Sequence, residues 1–409
     1  MKYILMTVMM LFSLPEIMEV SAQNDNLKYR RSSIYTLMIS HEDQKFASEI
    51  KDAFVKIPVP DKFNDHELSV KILSLDKKLK GASSDKENSD ISSFLERNKI
   101  ASRLVAKWFN RDVNTGTCNM ELVKERGLYN ATEYDRILAE KSARSTALLM
   151  DAGEDLIGNT FVLVNDIRYV DKSKAGAAVG MGLRILGALA GAATGNSDFA
   201  DLGDSYGSLA ETLKGFKVKI NTFLYKLEWD EATSAVFYKD QYTSTPDIVK
   251  KEEFEDGRGK YRLKYVGKVE SSGSTTSFMG IKLDEPVEMV RKACQRALDE
   301  NVASLQHEFE EFRTKSPLVS AQPITAYVGM KEGVTKDSKF EVLEIIEKDG
   351  GAREYKRVGV IKPVDGLIWD NRYMSEEEGA ASATLGCTTF KKVSGGDFFP
   401  GMLIREIKD

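Results

Sequence analysis

Thr160–Val170 reads TFVLVNDIRYV and Phe216–Trp229 reads FKVKINTFLYKLEW. Both have the character of strands. Val218, Ile220, Phe223, Tyr225 and Leu227 are the β-branched, aromatic and aliphatic types that fit a pleated, buried surface. Two successive runs of this kind should pair as a hairpin. The connection between them, however, runs from residue 171 to residue 215. Connections longer than about 15 residues in a compact domain are functional or disordered rather than simple turns.

The connection also has the least typical composition in the chain. Lys174–Gly195 reads KAGAAVGMGLRILGALAGAATG, and Gly176, Gly180, Gly187, Gly191 and Gly195 fall at steps of 4, 7, 4 and 4. On a helix these steps make one smooth stripe that lets another backbone come close. Arg184 falls on the same stripe. With Gly182 included, the six glycines cost a helix up to ~6 kcal/mol relative to alanine, which only close packing would offset. Val179, Leu183, Ile185, Leu186 and Leu189 favour membrane insertion by about 2.5 kcal/mol in sum, and a central arginine opposes it by a similar amount. A lone spanning helix is therefore disfavoured. Three readings stay open: a packed helix, a membrane-associated segment of an oligomer in which Arg184 faces partners or water, and a flexible loop.

Upstream, residues 1–22 read as a secretory signal peptide. Lys2 supplies the positive region, Ile4–Leu14 the apolar run and Val20-Ser21-Ala22 a small-residue cleavage site. The mature chain would begin at Gln23. No cysteine lies near the cut, so no lipid anchor is expected. Ser32–Ser40 reads as a strand, and His41–Ile57 as a helix with Phe46, Ile50, Ala53, Phe54 and Ile57 on one face. His66–Leu75 is a further strand candidate, Asp76–Asp90 a charged loop, Phe94–Asn110 a helix, Cys118–Val123 a short strand and Asn130–Ala152 a helix capped by Asn130. Downstream of the hairpin, Ser234–Tyr242 and Lys260–Val269 read as strands and Glu270–Ser277 as a loop. In Pro286–Lys315, apolar residues recur at three and four, which predicts a helix of roughly 45 Å able to separate two domains. Residues 316–409 change to short runs punctuated by glycine, with candidates Ile324–Val328, Lys339–Ile346, Tyr355–Ile361, Leu367–Asp370, Thr388–Val393 and Gly401–Ile407. This is the pattern of a small β-barrel or sandwich.

The expected architecture is thus α+β or α/β. An N-terminal domain over 23–285 carries the insertion 171–215 with its glycine zipper at 174–195. A long linking helix over 286–315 and a small all-β domain over 316–409 follow. The formal net charge is -5, or -4 without residues 1–22. A mildly acidic chain with mixed charges has no field that attracts nucleic acid. Three cysteines, Cys118, Cys294 and Cys387, and three histidines, His41, His66 and His307, form no zinc spacing. One long-range disulfide is allowed, and buried apolar cysteines are the simpler reading. No metal and no cofactor is expected.

Two motifs could still carry chemistry. Gly203-Asp204-Ser205-Tyr206-Gly207 spells a nucleophile elbow, with His307 as a later base, but the loop before it lacks the strand that such an elbow needs. Asn196, Asp198, Asp201 and Asp204 gather oxygen donors without the spacing of a calcium loop. Trp369 and Tyr373 read as packing residues rather than a ligand platform.

The order of elements from about residue 93 to 229, with Lys99–Asn110 leading to Cys118–Arg126 and then SARSTALLMDAGEDLIGNTFVLVNDIRYV over Ser142–Val170, resembles a periplasmic domain of envelope proteins. That domain is shared by curli secretion channels, penicillin-binding-protein activator lipoproteins and flagellar assembly proteins. The strand signature of those families includes Ala-Asp-Tyr, which does not occur in the matching segment Asp155–Ile167. AYVGMKEGVTKDSKFEVLEI over Ala326–Ile345 is similar to the small β-domain of flagellar assembly proteins. The resemblance implies an exported, periplasmic or outer-membrane-associated, non-enzymatic protein of envelope assembly. Its partner would be another envelope protein or a further copy of itself. A secreted serine hydrolase using Ser205 and a ligand-binding module in the C-terminal β-domain are the alternatives.

Overall fold

The computed structural model describes residues 30–74, 84–130, 153–170, 216–274, 286–347 and 353–408. Its first sheet is built from β1 (Ser33–Ile39), the two-residue strands β2 (Asn64–Asp65) and β3 (Ile72–Leu73), β4 (Thr160–Tyr169), β5 (Lys217–Leu227) and β6 (Leu263–Ser274). The order is β2-β1-β4-β5-β6, with β3 also paired to β1. β1 runs parallel to β2, β3 and β4, from Ser33↔Thr160 to Ile39↔Asp166 in the last case. β5 runs antiparallel to both of its neighbours, β4 and β6.

Alternation along these strands feeds two cores. Ile34, Met38, Phe161, Leu163, Ile167, Ile220 and Leu224 point to one face, and Tyr35, Leu37, Ile39, Val162, Val164, Phe223 and Tyr225 to the other. The first face is covered by α1 (Ala47–Lys56) and α7 (Pro286–Glu308), and the second by α2 (Ser84–Arg97) and α3 (Ile100–Trp108). The sheet is therefore buried on both sides, which explains why its strands read as nearly continuous apolar runs. α4 (Glu121–Asn130), α5 (Glu231–Val236) and α6 (Ile248–Gly257) close a third cluster around Trp108, Phe109, Phe237, Phe254 and Tyr261.

Several expectations are corrected. Phe94–Asn110 is two helices, broken at Lys99, whose φ of 51° lies in the left-handed region. Asp76–Asp90 is not all loop: α2 already starts at Ser84, because Ile91 and Leu95 anchor it to the sheet. Cys118–Val123 is no strand. The Cys118 amide donates to the Thr243 carbonyl at 2.7 Å, and α4 begins at Glu121. Within His66–Leu75 only Ile72–Leu73 pairs, since the His66 side chain is buried toward α3. The helix expected over 130–152 lies outside the described residues beyond Asn130, which itself ends α4.

Ser234–Tyr242 is helical rather than extended. Asp230 accepts the Thr233 amide as N-cap of α5, and a π-turn, Phe237–Gln241, follows. Helical spacing places Phe237, Tyr238 and Tyr242 around the Phe109 ring, with centroids 4.3, 5.7 and 6.0 Å away. Packing of three aromatics overrides their strand preference. Glu270–Ser274, expected as loop, extends β6, because α7 lies directly over it. A Cβ at Gly273 would collide with the Ala293 carbonyl.

The 23-residue α7 is shorter than the helix expected and does not stand free as a spacer. Val290, Ala293, Cys294, Ala297 and Leu298 pack on α1 and the sheet, and Val302 and Leu305 continue the contact. A 3-10 turn at Glu310–Phe312 then leads into a second sheet.

That sheet contains β7 (Ser316–Ala321), β8 (Ile324–Ala326), β9 (Phe340–Glu347), β10 (Arg353–Pro363), β11 (Thr388–Gly395) and β12 (Leu403–Glu406). Pairing in the order β10-β11-β8-β7-β12-β9 closes a barrel around Leu318, Val328, Val342, Ile361, Phe390 and Ile404. β7 was not foreseen. Leu367–Asp370 joins no ladder: the Trp369 carbonyl accepts from the Met330 amide and the Leu367 carbonyl from that of Thr389. Cys118, Cys294 and Cys387 are all free thiols.

Candidate functional site

The sequence points first to the insertion, and its six packing candidates, Gly176, Gly180, Arg184, Gly187, Gly191 and Gly195, lie outside the described residues, as do Ser205 and the oxygen cluster 196–204. Its anchorage is described. Tyr169 of β4 is the direct partner of Val218 in β5, and the Val170 amide donates to the Lys217 carbonyl at 2.8 Å. The chain therefore leaves and re-enters the sheet at one point. That point is clasped by three rings. Phe46 meets Tyr169 edge-on at 5.1 Å and Phe216 at 5.5 Å, while Tyr169 and Phe216 lie 5.6 Å apart. Gln44 completes it, accepting the Tyr169 amide at 2.9 Å and donating to the Ile167 carbonyl at 3.1 Å.

Beside this clasp, at the carboxyl ends of the parallel strands β1 and β4, the buried Asp166 accepts from Arg168 at 2.8 and 2.9 Å and bonds His41. Burial alone would raise the Asp166 carboxyl, but His41 and Arg168 outweigh it and hold it below the usual carboxylate range. The Glu87 carboxyl next to it is pushed up to about 7, first by burial and then by its contact with Asp166. Of the pair, Asp166 is the stronger acid and Glu87 the weaker.

The other two histidines have different surroundings. Buried His66 accepts from Arg126 at 2.6 Å and donates to the Leu104 carbonyl at 2.9 Å. Burial and then Arg126 hold its pKa well below the ordinary imidazole value. His307 lies on α7 near the barrel and lines a small cavity there.

A cavity of about 610 Å³ lies between the loop before β2 and the barrel connections that follow β8 and precede β11. Its wall is fixed by a charged seam. Glu378 takes the fully buried Lys292 at 2.7 Å and Arg296 at 2.9 Å, and Arg296 also donates to the Tyr373 carbonyl. The Tyr373 hydroxyl donates to Glu288 at 2.8 Å, and Arg291 stands 4.9 Å over its ring. Tyr373 is thus a packing residue of the seam, whereas Trp369 lines the cavity, its indole N–H given to the Ala383 carbonyl at 3.2 Å.

Cavity residues missed in the sequence come from distant segments: Asp61 and Lys62 before β2, Tyr327, Lys331 and Glu332 after β8, and Asp370–Glu377 before β11. No local motif links them. The nearest sequence signal was Trp369 in a glycine-punctuated region. Among the described residues, no group of three or more His, Cys, Asp or Glu side chains is placed to hold a metal ion, and no helix is long and apolar enough to cross a membrane. No protein-family model matches the chain, and no curated protein matches it.

Proposed function

We propose that this chain is an exported, non-catalytic accessory protein of cell-envelope assembly, acting in the periplasm or at the outer membrane. In this reading, segment 171–215 makes the decisive contact. It packs against an envelope partner or another copy of the chain, and the glycine stripe, with Arg184 facing partner or water, allows membrane association in the assembled state. The observation that carries the reading is the clasped hairpin end: a glycine-rich segment of this length springs from two hydrogen-bonded neighbours on a sheet buried on both faces. The Gly333–Val334 turn before β9 adds support from the resemblance to flagellar assembly proteins.

The test is fractionation of cells making the full chain, with an alkaline wash of the membranes, for wild type and a deletion of 175–195. Wild type should resist the wash and the deletion should be soluble. Gly187→Leu with Gly191→Leu should reproduce the deletion. Release of wild type together with both variants would overturn the role of the segment. Export is tested separately by the mature amino terminus, expected at Gln23.

A further inference from the structure

Within the cavity between the barrel and the loop before β2, two ammonium groups stand apart from the tight ion pairs around them. Lys62 Nζ has its nearest carboxylate, Glu332, at 4.0 Å, and Lys331 Nζ has Asp299 at 3.9 Å. Neither distance is a hydrogen bond. By contrast, Lys292 and Arg372 meet their carboxylates at 2.7 Å. Asn371 holds this floor in place: its Oδ1 accepts the Lys331 amide at 2.9 Å, and its Nδ2 donates to Glu332 at 2.8 Å. The Lys62 and Lys331 side chains are 17% and 19% exposed, so both reach the cavity while most of their stems are buried. Each ammonium carries three donors, and the two repel one another. An anionic oxygen pair between them relieves both deficits.

The rest of the lining narrows the ligand. Trp369 and Tyr327 line the same cavity and offer apolar ring surface to a ligand there. Asp61, Glu376 and Glu377 also line the cavity and disfavour a ligand that is anionic throughout. A single carboxylate, an adjoining apolar side chain and a neutral or basic body together describe the carboxyl-terminal end of a peptide chain. The volume is within the range of peptide and small-ligand pockets, about 300–1,000 Å³.

We propose that this cavity binds peptide carboxyl termini, with Lys62 and Lys331 taking the terminal carboxylate, Trp369 and Tyr327 the last side chain, and Asn371 acting as a positioning residue. The site is independent of the role assigned to segment 171–215.

The full chain is immobilised and offered a randomised tetrapeptide library with free carboxyl ends, and separately the same library amidated. Retained peptides are read by mass spectrometry, and their binding in solution by the emission of Trp369, taken as the difference between wild type and Trp369→Phe. The free-acid library should be retained and the amidated one not. Lys62→Met and Lys331→Gln should each weaken binding by about tenfold or more, the scale of one lost charge-assisted contact. Equal retention of the two libraries, or retention of neither, overturns the proposal. That comparison uses the wild-type chain alone, so a variant that fails to fold does not decide it.

Discussion

Asp299 is a buried carboxyl set among charged groups from three elements. It sits on α7 facing Lys331 and Glu332 of the barrel, Arg296 of its own helix and Asp61 of the loop before β2, and its Oδ2 is buried without a hydrogen bond. Burial pushes its carboxyl up to about 7, with Lys331 opposing. A raised carboxyl pKa stabilises the fold at low pH. The contribution is complete below the unfolded value near 4 and is lost as pH rises through about 7. Asp299→Asn should remove that loss. Its free energy of unfolding, read by chemical denaturation, should fall less than that of wild type between pH 5 and pH 8, by about 4 kcal/mol at most. Parallel curves for the two proteins would refute the assignment. Arg126 is also buried, and burial lowers its guanidinium pKa to about 10, but its N–H groups are hydrogen-bonded. Its ring-stacked guanidinium lies 4.3 Å over Trp108 and donates to Ser33, His66 and the Asp65 carbonyl. Arg126→Met should cost about 2–4 kcal/mol, read by chemical denaturation, because the acceptors are left buried and unpaired.

At the scale of elements, legibility followed periodicity. β1, β4, β5, α3 and α7 bury the residues that their spacing singled out, since each presents a regular apolar face to one sheet. The failures have physical causes of their own. Phe237, Tyr238 and Tyr242 look like strand residues, but the Asp230 cap and packing on the distant Phe109 make the segment helical. The polar end of β6 has no strand character, because what keeps it in the sheet is α7 resting on Gly273. Gly273→Val should therefore displace α7 and destabilise the protein by more than ~2 kcal/mol, although valine favours strands. A stability equal to wild type would mean that the helix does not rest there. The cavity was illegible for a related reason. Its lysines, aromatics and acids belong to three separate connections, and their distances are set only when the barrel docks.

For the molecule as a whole, docking depends on few groups. Glu378 pairs with both Lys292 and Arg296 in the seam. Glu378→Gln removes a carboxylate charge that faces the buried Lys292 ammonium at 2.7 Å, so a loss of about 3–5 kcal/mol is expected, with the barrel loosening first. Hydrogen exchange should rise in the seam while the first sheet stays protected. A second tie joins the barrel to the start of β1, where Arg31 donates to the Tyr355 hydroxyl at 2.5 Å and Lys315 lies 4.1 Å over the same ring. Loss of the seam should thus leave the barrel attached but mobile.

The clasped hairpin end has a consequence for the order of folding. β4 and β5 are neighbours in the sheet, yet their meeting requires closure of a loop of more than forty residues. Relative to a two-residue turn, that closure costs roughly 3 kcal/mol of chain entropy. Since this pairing sits at the centre of the sheet, it is a late and slow event unless contacts from β1 and α7 assemble first. Replacing 172–215 by Asn-Gly, a turn suited to the twist of an antiparallel pair, should keep the fold and quicken refolding. The protein then trades folding speed for a segment that its sheet does not need.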